Sequence, residues 1–195
     1  CWNCSQIIQK SNGLFCGNCG KLLEARTDNY FKLMSMDEKF DLNVTVLAKR
    51  YRELQVMVHP DKYCNSDEKE RQNSMEWSSL LNKAYKILSG PLERGEYILN
   101  QKGIILPHDN STLDQDFLQE IMEKNEEIEA TDQNSIHIYL AKVRATLYIL
   151  NESISDMLNK GNYDEAKTCL VKMKYYKSLE KTIKERMHKM ELNSD

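Results

Sequence analysis

Cys1, Cys4, Cys16 and Cys19 form two Cys-x-x-Cys pairs with eleven residues between them. Four thiolates at that spacing suit a tetrahedral ion, since each pair can occupy two corners and the intervening chain can fold back to join them. Zinc is the assigned ion; iron in a rubredoxin-like site is the lesser alternative. A dithiol redox role fits poorly, because a redox Cys-x-x-Cys normally opens a helix of a thioredoxin-type α/β fold. The other two cysteines, Cys64 and Cys169, stand apart and read as a loop thiol and a partly buried helix residue. Clustering four of six at one end points to a metal site in a reducing compartment, not to a disulfide framework.

A second chemical feature is the tripeptide His59-Pro60-Asp61. Pro60 fixes its own φ and pushes His59 out of helical geometry. An imidazole and a carboxylate then project from a stiff corner, which suits recognition of a partner. The plainer reading is a proline that stops a helix. His108, His137 and His188 have no spacing for a metal or a triad and read as ordinary polar residues.

These residues need elements to position them. Residues 43–58 and 67–88 carry helical periodicity on both sides of the tripeptide. The first has an apolar face of Val44, Leu47, Ala48, Tyr51, Leu54 and Val58, with Lys49, Arg50 and Arg52 opposite. The second repeats the pattern with Trp77, Leu80, Leu81, Ala84, Tyr85 and Leu88, and Ser89-Gly90-Pro91 stops it. Asp28 is the expected cap of a short earlier helix holding Tyr30 and Phe31, and Asn43 or Thr45 the cap of the next. A fourth short helix carries Arg94, Tyr97, Ile98 and Leu99. Residues 1–26 form a metal-dependent module with a hairpin expected around Asn12-Gly13.

Beyond residue 102 the chain changes character. Residues 103–112 read as a linker whose Ile104, Ile105 and Leu106 are expected to glue two domains together. Residues 113–130 form an acidic helix with a stripe of Leu113, Phe117, Ile121 and Ile128. Residues 135–159 place Ile136, Leu140, Val143, Leu147, Leu150, Ile154 and Met157 in steps of four and three. Gly161-Asn162 turns the chain into a last helix with Ala166, Leu170, Met173, Tyr176, Leu179, Ile183 and Met187 on one side. Three such helices joined by short turns make an antiparallel bundle. The fold class is therefore all-α: a helical hairpin and a C-terminal three-helix bundle behind a small zinc-knuckle and β-hairpin module. The expected domains are 1–26, 27–102, a linker at 103–112, and 113–195.

Composition narrows the function. The 195 residues carry 27 Lys and Arg against 30 Asp and Glu, a net charge of −3. Interspersed charge of this kind disfavours general nucleic-acid binding, which rests on phosphate neutralisation. Seven glycines and three prolines are too few for a turn-rich β protein. No apolar run reaches the length of a membrane span, and no phosphate-cradling loop appears. The numbering opens on Cys1, so a trimmed or processed chain is expected, with any targeting segment out of view.

At His59-Pro60-Asp61, with helices of this length on both sides, the chain resembles a J domain. The stretches NYFKLM, LAKRYRELQVMVHPDKY, LNKAYKILSGPLERGEYIL and FLQEIMEKNEEIE make it similar to HscB-type co-chaperones of iron–sulfur cluster assembly, from about residue 28 to the C-terminus. The tetracysteine module looks like the animal mitochondrial form. The Gly/Phe-rich stretch and the Cys-x-x-Cys-x-Gly-x-Gly repeats of general J proteins do not appear. The resemblance implies a co-chaperone, not an enzyme, with two partners. His59, Pro60 and Asp61, assisted by Lys49, Arg50 and Arg52, would engage a DnaK-type ATPase chaperone and trigger its hydrolysis. Leu118, Met122, Glu123, Glu126 and Tyr175 would bind the iron–sulfur scaffold protein. Gln119, polar where some relatives are apolar, narrows that patch. The resemblance also implies the mitochondrial matrix, with a cytosolic pool left open, and cluster transfer to recipient iron–sulfur proteins. Neither nucleic acid nor membrane is expected as a partner; a homodimer is left open. The alternatives are a J-type holdase for unfolded clients, a zinc-ribbon adaptor for nucleic acid, and a metal-dependent redox protein.

Overall fold

The computed structural model describes residues 1–8, 13–107, 113–132 and 135–192. Its helices are α1 (Tyr30–Leu33), α2 (Val44–Val58), α3 (Glu68–Ser89), α4 (Pro91–Gln101), α5 (Gln115–Ala130), α6 (Ile136–Lys160) and α7 (Tyr163–Leu192). A 3₁₀ turn over Pro60–Tyr63 lies between α2 and α3. Two compact units divide between Arg94 and Gly95, so α4 begins in one and ends in the other.

In the first unit α2 and α3 form the helical hairpin. Asn43 caps α2 by accepting from the NH groups of Thr45 and Val46. Leu47, Leu54 and Val58 from α2, and Trp77, Leu81, Ala84 and Leu88 from α3, are buried. Val44, expected on the apolar face, is exposed at the first turn. Asn29, not Asp28, caps α1, accepting from Lys32 NH at 3.1 Å. An i to i+3 bond requires the cap to sit one residue before the first helical position, which is Asn29 here.

The tetracysteine module is held to α3 by polar groups. Glu70 Oε1 accepts from Leu22 NH at 3.0 Å. Asn73 Nδ2 donates to Leu22 O at 2.8 Å, and Trp77 Nε1 donates to Leu23 O at 2.8 Å. Lys21 Nζ bridges Asp67 and Glu70, both at 2.8 Å. Spaced by three and four, residues 70, 73 and 77 lie on one helical face and read the backbone like a strand partner. Asn12 of the expected hairpin lies outside the described residues. Among the described residues the module has no strand, only an antiparallel bridge between Phe15 and Leu22 that brackets Cys16–Cys19.

In the second unit α5, α6 and α7 share a core of Phe117, Ile121, Ile128, Ile136, Leu140, Val143, Tyr176, Leu179 and Ile183. Asp114 caps α5. Gly161, at φ 78°, closes α6: its NH donates to Leu158 O and the Asn162 NH to Met157 O. Ile105 is 71 % exposed, so it supplies none of the expected apolar glue. The chain leaves α4 through an Ile104 NH bond to Leu99 O. His108 lies outside the described residues; His137 and His188 are exposed.

Removing Glu70 leaves the buried Leu22 NH without an acceptor, so Glu70→Ala should cost about 1–3 kcal/mol of stability in urea titration. Burial pushes the Glu70 carboxyl up, but Lys21 and the Leu22 NH outweigh it and hold it below the usual range. Lys21 likewise depresses Asp67. Depressed acids contribute stability above their unfolded pKa and lose it as pH falls through the folded one. The wild type should therefore weaken below about pH 4, with a shallower acid-side slope in Glu70→Ala.

Candidate functional site

Pro60 ends α2 and places His59 at φ −58°, ψ 131°, the extended geometry a proline imposes on its predecessor. His59 Nδ1 then accepts from Asp61 NH at 3.3 Å, so the imidazole caps the 3₁₀ turn that follows. Tyr63 OH donates back to Met57 O at 2.9 Å and ties the turn to α2. Cys64 Sγ donates to Asp61 O at 3.1 Å. The side chains of His59 and Asp61 remain 53 % and 88 % exposed, with Nδ1 and Oδ2 3.5 Å apart. An ordered corner presents both groups to solvent, and Pro60 is half-buried beneath them.

The basic residues divide. Lys49 and Arg52 are exposed. Arg50 is half-buried, reaching Glu53 at 3.3 Å and Ser35 Oγ at 3.3 Å. A groove of about 560 Å³ runs beside His59 between α2 and α3. Its polar floor escaped the sequence reading. Asn82 Oδ1 accepts from Tyr51 OH at 2.6 Å and Gln55 Nε2 at 2.7 Å. Ser78 Oγ donates to Gln55 Oε1 at 3.1 Å, and Tyr51 stacks on Tyr85 with centroids 4.4 Å apart. The only sequence signal was Gln55 beside the apolar stripe, with Ser78 and Asn82 flanking the opposite one.

On α5, Leu118 is half-buried, Met122 is 65 % exposed, and Glu123 and Glu126 are exposed. Residues 118, 122 and 126 succeed one another by single turns along one line. Gln119 Nε2 donates to Glu123 at 2.9 Å, so it organises the acidic rim. Tyr175 is half-buried and meets Phe117 edge-on, centroids 5.9 Å apart. Behind it Tyr176 OH donates to Glu120 at 2.8 Å; burial, then Glu120, pushes that phenol up to about 12. The resulting surface is a short apolar strip edged by carboxylates.

The sulfurs of Cys1, Cys4, Cys16 and Cys19 all lie within 4.8 Å of one another. Cys1 to Cys19 and Cys4 to Cys16 are each 3.7 Å. Four sulfurs about 2.3 Å from one central ion have edges of about 3.8 Å, so this donor set fits a tetrahedral metal. Asn18 Nδ2 approaches Cys4 Sγ at 3.5 Å. That amide first, then the Gln6 backbone, holds the Cys4 thiol down to about 7, toward the thiolate a metal requires. Gly20, at φ 71°, gives the turn that sends its NH to Cys16 O. Trp2 Nε1 donates to Leu22 O at 2.8 Å and packs the first knuckle onto the segment gripped by α3. Cys64 is an exposed thiol, and burial raises Cys169.

A family profile described as the HSCB C-terminal oligomerisation domain matches residues 113–184. The mouse (Mus musculus) iron-sulfur cluster co-chaperone protein HscB is 36% identical over 189 residues, covering 94% of this chain and 81% of that protein. The crystal structure of human co-chaperone protein HscB superposes with a TM-score of 0.91 at 34% identity, covering 95% of this chain and 97% of that one. HscB from Vibrio cholerae gives a TM-score of 0.77 at 27% identity, covering 83% of this chain and 99% of that one. Jac1 from Saccharomyces cerevisiae, at 21% identity and a TM-score of 0.67, shares the fold. With 36% identity over 94% of this chain and 81% of the mouse protein, the chain belongs to the HscB family of iron–sulfur cluster co-chaperones.

Proposed function

We propose that this chain joins two partners and catalyses no reaction itself. One is a DnaK-type ATPase chaperone; the other is the protein scaffold on which iron–sulfur clusters are built. The observation that carries this reading is an ordered, solvent-facing His59-Pro60-Asp61 corner in one unit and a separate acid-edged apolar strip in the other. The division of labour follows residues 27–102 as the J domain, 103–112 as linker, and 113–195 as the scaffold-binding bundle.

His59 and Asp61 offer a hydrogen-bonding pair whose geometry is set before any encounter, which lowers the entropic cost of docking. Lys49 and Arg52 act on encounter rate with an acidic chaperone surface; such exposed charges raise association more than final affinity. Arg50 contributes through the same field while anchoring α2 to Ser35. The scaffold meets Leu118 and Met122 directly, with Glu123 and Glu126 on its rim and Tyr175 at its edge. The chaperone then releases the scaffold's cluster toward recipient iron–sulfur proteins. The working compartment is the mitochondrial matrix, by family. Residues 1–26 hold one structural zinc, which the four-thiolate set favours over iron because closed tetracysteine sites are mostly zinc.

Steady-state ATPase of a DnaK-type chaperone should rise with this protein and rise further with the scaffold present. Asp61→Ala should fold normally and return the rate to basal; full stimulation by that variant would remove the role given to the corner. Leu118→Ala with Tyr175→Ala should weaken scaffold binding about tenfold or more in calorimetry, while stimulation without scaffold persists. Metal analysis should find one zinc per chain, and Cys19→Ser should lose it along with several degrees of melting temperature; one bound iron would reverse the assignment.

A further inference from the structure

The start of α3 is capped from outside the helix. Asp67 stands at its N-cap, where a carboxylate ordinarily accepts from the NH groups two or three residues on, yet its side chain makes no such bond. The carboxylate turns instead to Lys21 Nζ at 2.8 Å, and the same ammonium reaches Glu70 at 2.8 Å. Lys69, between them in sequence, meets Glu24 at 3.2 Å. Asp67, Lys69 and Glu70 thus lean on the tetracysteine module. A cation set against a helix N-terminus opposes the helix dipole, so the two carboxylates are what hold Lys21 there.

Both ends of Lys21 are committed. Its carbonyl accepts from the Cys16 NH at 2.8 Å, and the Gly20 NH donates to Cys16 O at 2.9 Å, so its backbone closes the knuckle that carries Cys16 and Cys19. Its side chain crosses to a residue 46 positions along the chain. From there the path to the corner is short, since Asp61 lies six residues before Asp67. Ser66 NH donates to Tyr63 O at 3.0 Å, and Lys62 NH to His59 O at 3.0 Å. Tyr63 fastens this turn to α2 through Met57 O. Its other end is fastened by the first turn of α3, and helix ends loosen before helix interiors do. Asn73 and Trp77 grip the module further along; Lys21 acts on the stretch next to the corner.

We propose that Lys21 is a positioning residue for the chaperone contact: it carries the fold of the metal-bound knuckle into the first turn of α3 and so fixes the orientation of the His59-Pro60-Asp61 corner. The inference rests on the corner's proposed role and on the metal proposed for residues 1–26. It gives those residues a part in chaperone stimulation that needs no chaperone contact of their own.

Amide hydrogen exchange and chaperone ATPase, both on the metal-loaded full chain, test this. In Lys21→Met the amides of residues 61–67 should exchange about tenfold faster, while the α3 interior keeps its protection. The concentration giving half-maximal stimulation should rise about threefold or more at an unchanged maximal rate, because the recognition groups are intact and only their arrangement is loosened. Lys21→Arg, whose guanidinium also spans two carboxylates, should restore both. Chelating the metal should speed the same amides in the wild type, and should add less in Lys21→Met, since the two lie on one path. Should Lys21→Met lose its metal or melt early, Asp67→Ala decides: it removes only the outer half of the bridge, a side chain 63 % exposed, and should give the same pattern at smaller size. Unchanged exchange at 61–67 in both variants, or full additivity with chelation, overturns the coupling. Faster exchange with an unaltered half-maximal concentration overturns the positioning role. A wild type that fails to stimulate the ATPase overturns the corner's role instead, and the exchange pattern then still decides the coupling.

Discussion

Three side chains of α3 hold the peptide groups of Leu22 and Leu23, and the first unit is organised around that grip. Glu70 takes the Leu22 NH, Asn73 meets the Leu22 carbonyl, and Trp77 meets that of Leu23. Each is a buried polar contact, and a buried polar group is costly when its partner is missing. Trp77 is at once the largest fully buried side chain of the chain and a backbone anchor. The grip begins three residues after Cys19, so the same segment that closes the second knuckle is clamped to the hairpin. A module too small to fold alone thereby shares a core with a helix that forms half of the α2–α3 hairpin.

The corner at His59 obeys a different economy. It is held by local contacts: the proline, the imidazole cap on Asp61 NH and the Tyr63 bond to Met57. None requires burial of the His59 and Asp61 side chains themselves. A shape enforced by backbone geometry can stay wet and still be ordered.

Much of this was legible in the sequence, for reasons that particular residues make plain. The helices declared themselves because Leu47, Leu54 and Val58, or Ile136, Leu140 and Val143, recur at helical steps, and the Gly161 turn closes one helix before the next opens. The tetracysteine cluster followed from spacing. Glu70 and Asn73 did not announce themselves: a polar residue on a helix reads as solvated unless the partner backbone is known. The cap of α1 moved from Asp28 to Asn29 because both neighbours are capping residues and only the start of the helix decides between them. Ile105 misled because apolarity signals burial only on average.

Tyr51, Gln55, Ser78 and Asn82 cross the seam of the α2–α3 hairpin with side-chain hydrogen bonds. Apolar helix pairs tolerate sliding; these paired donors and acceptors favour the alignment in which all are satisfied. Lineages descending from this chain are therefore constrained to alter those four positions jointly, because a lone replacement strands its neighbours' donors and acceptors beside the very corner whose height along the hairpin they gauge.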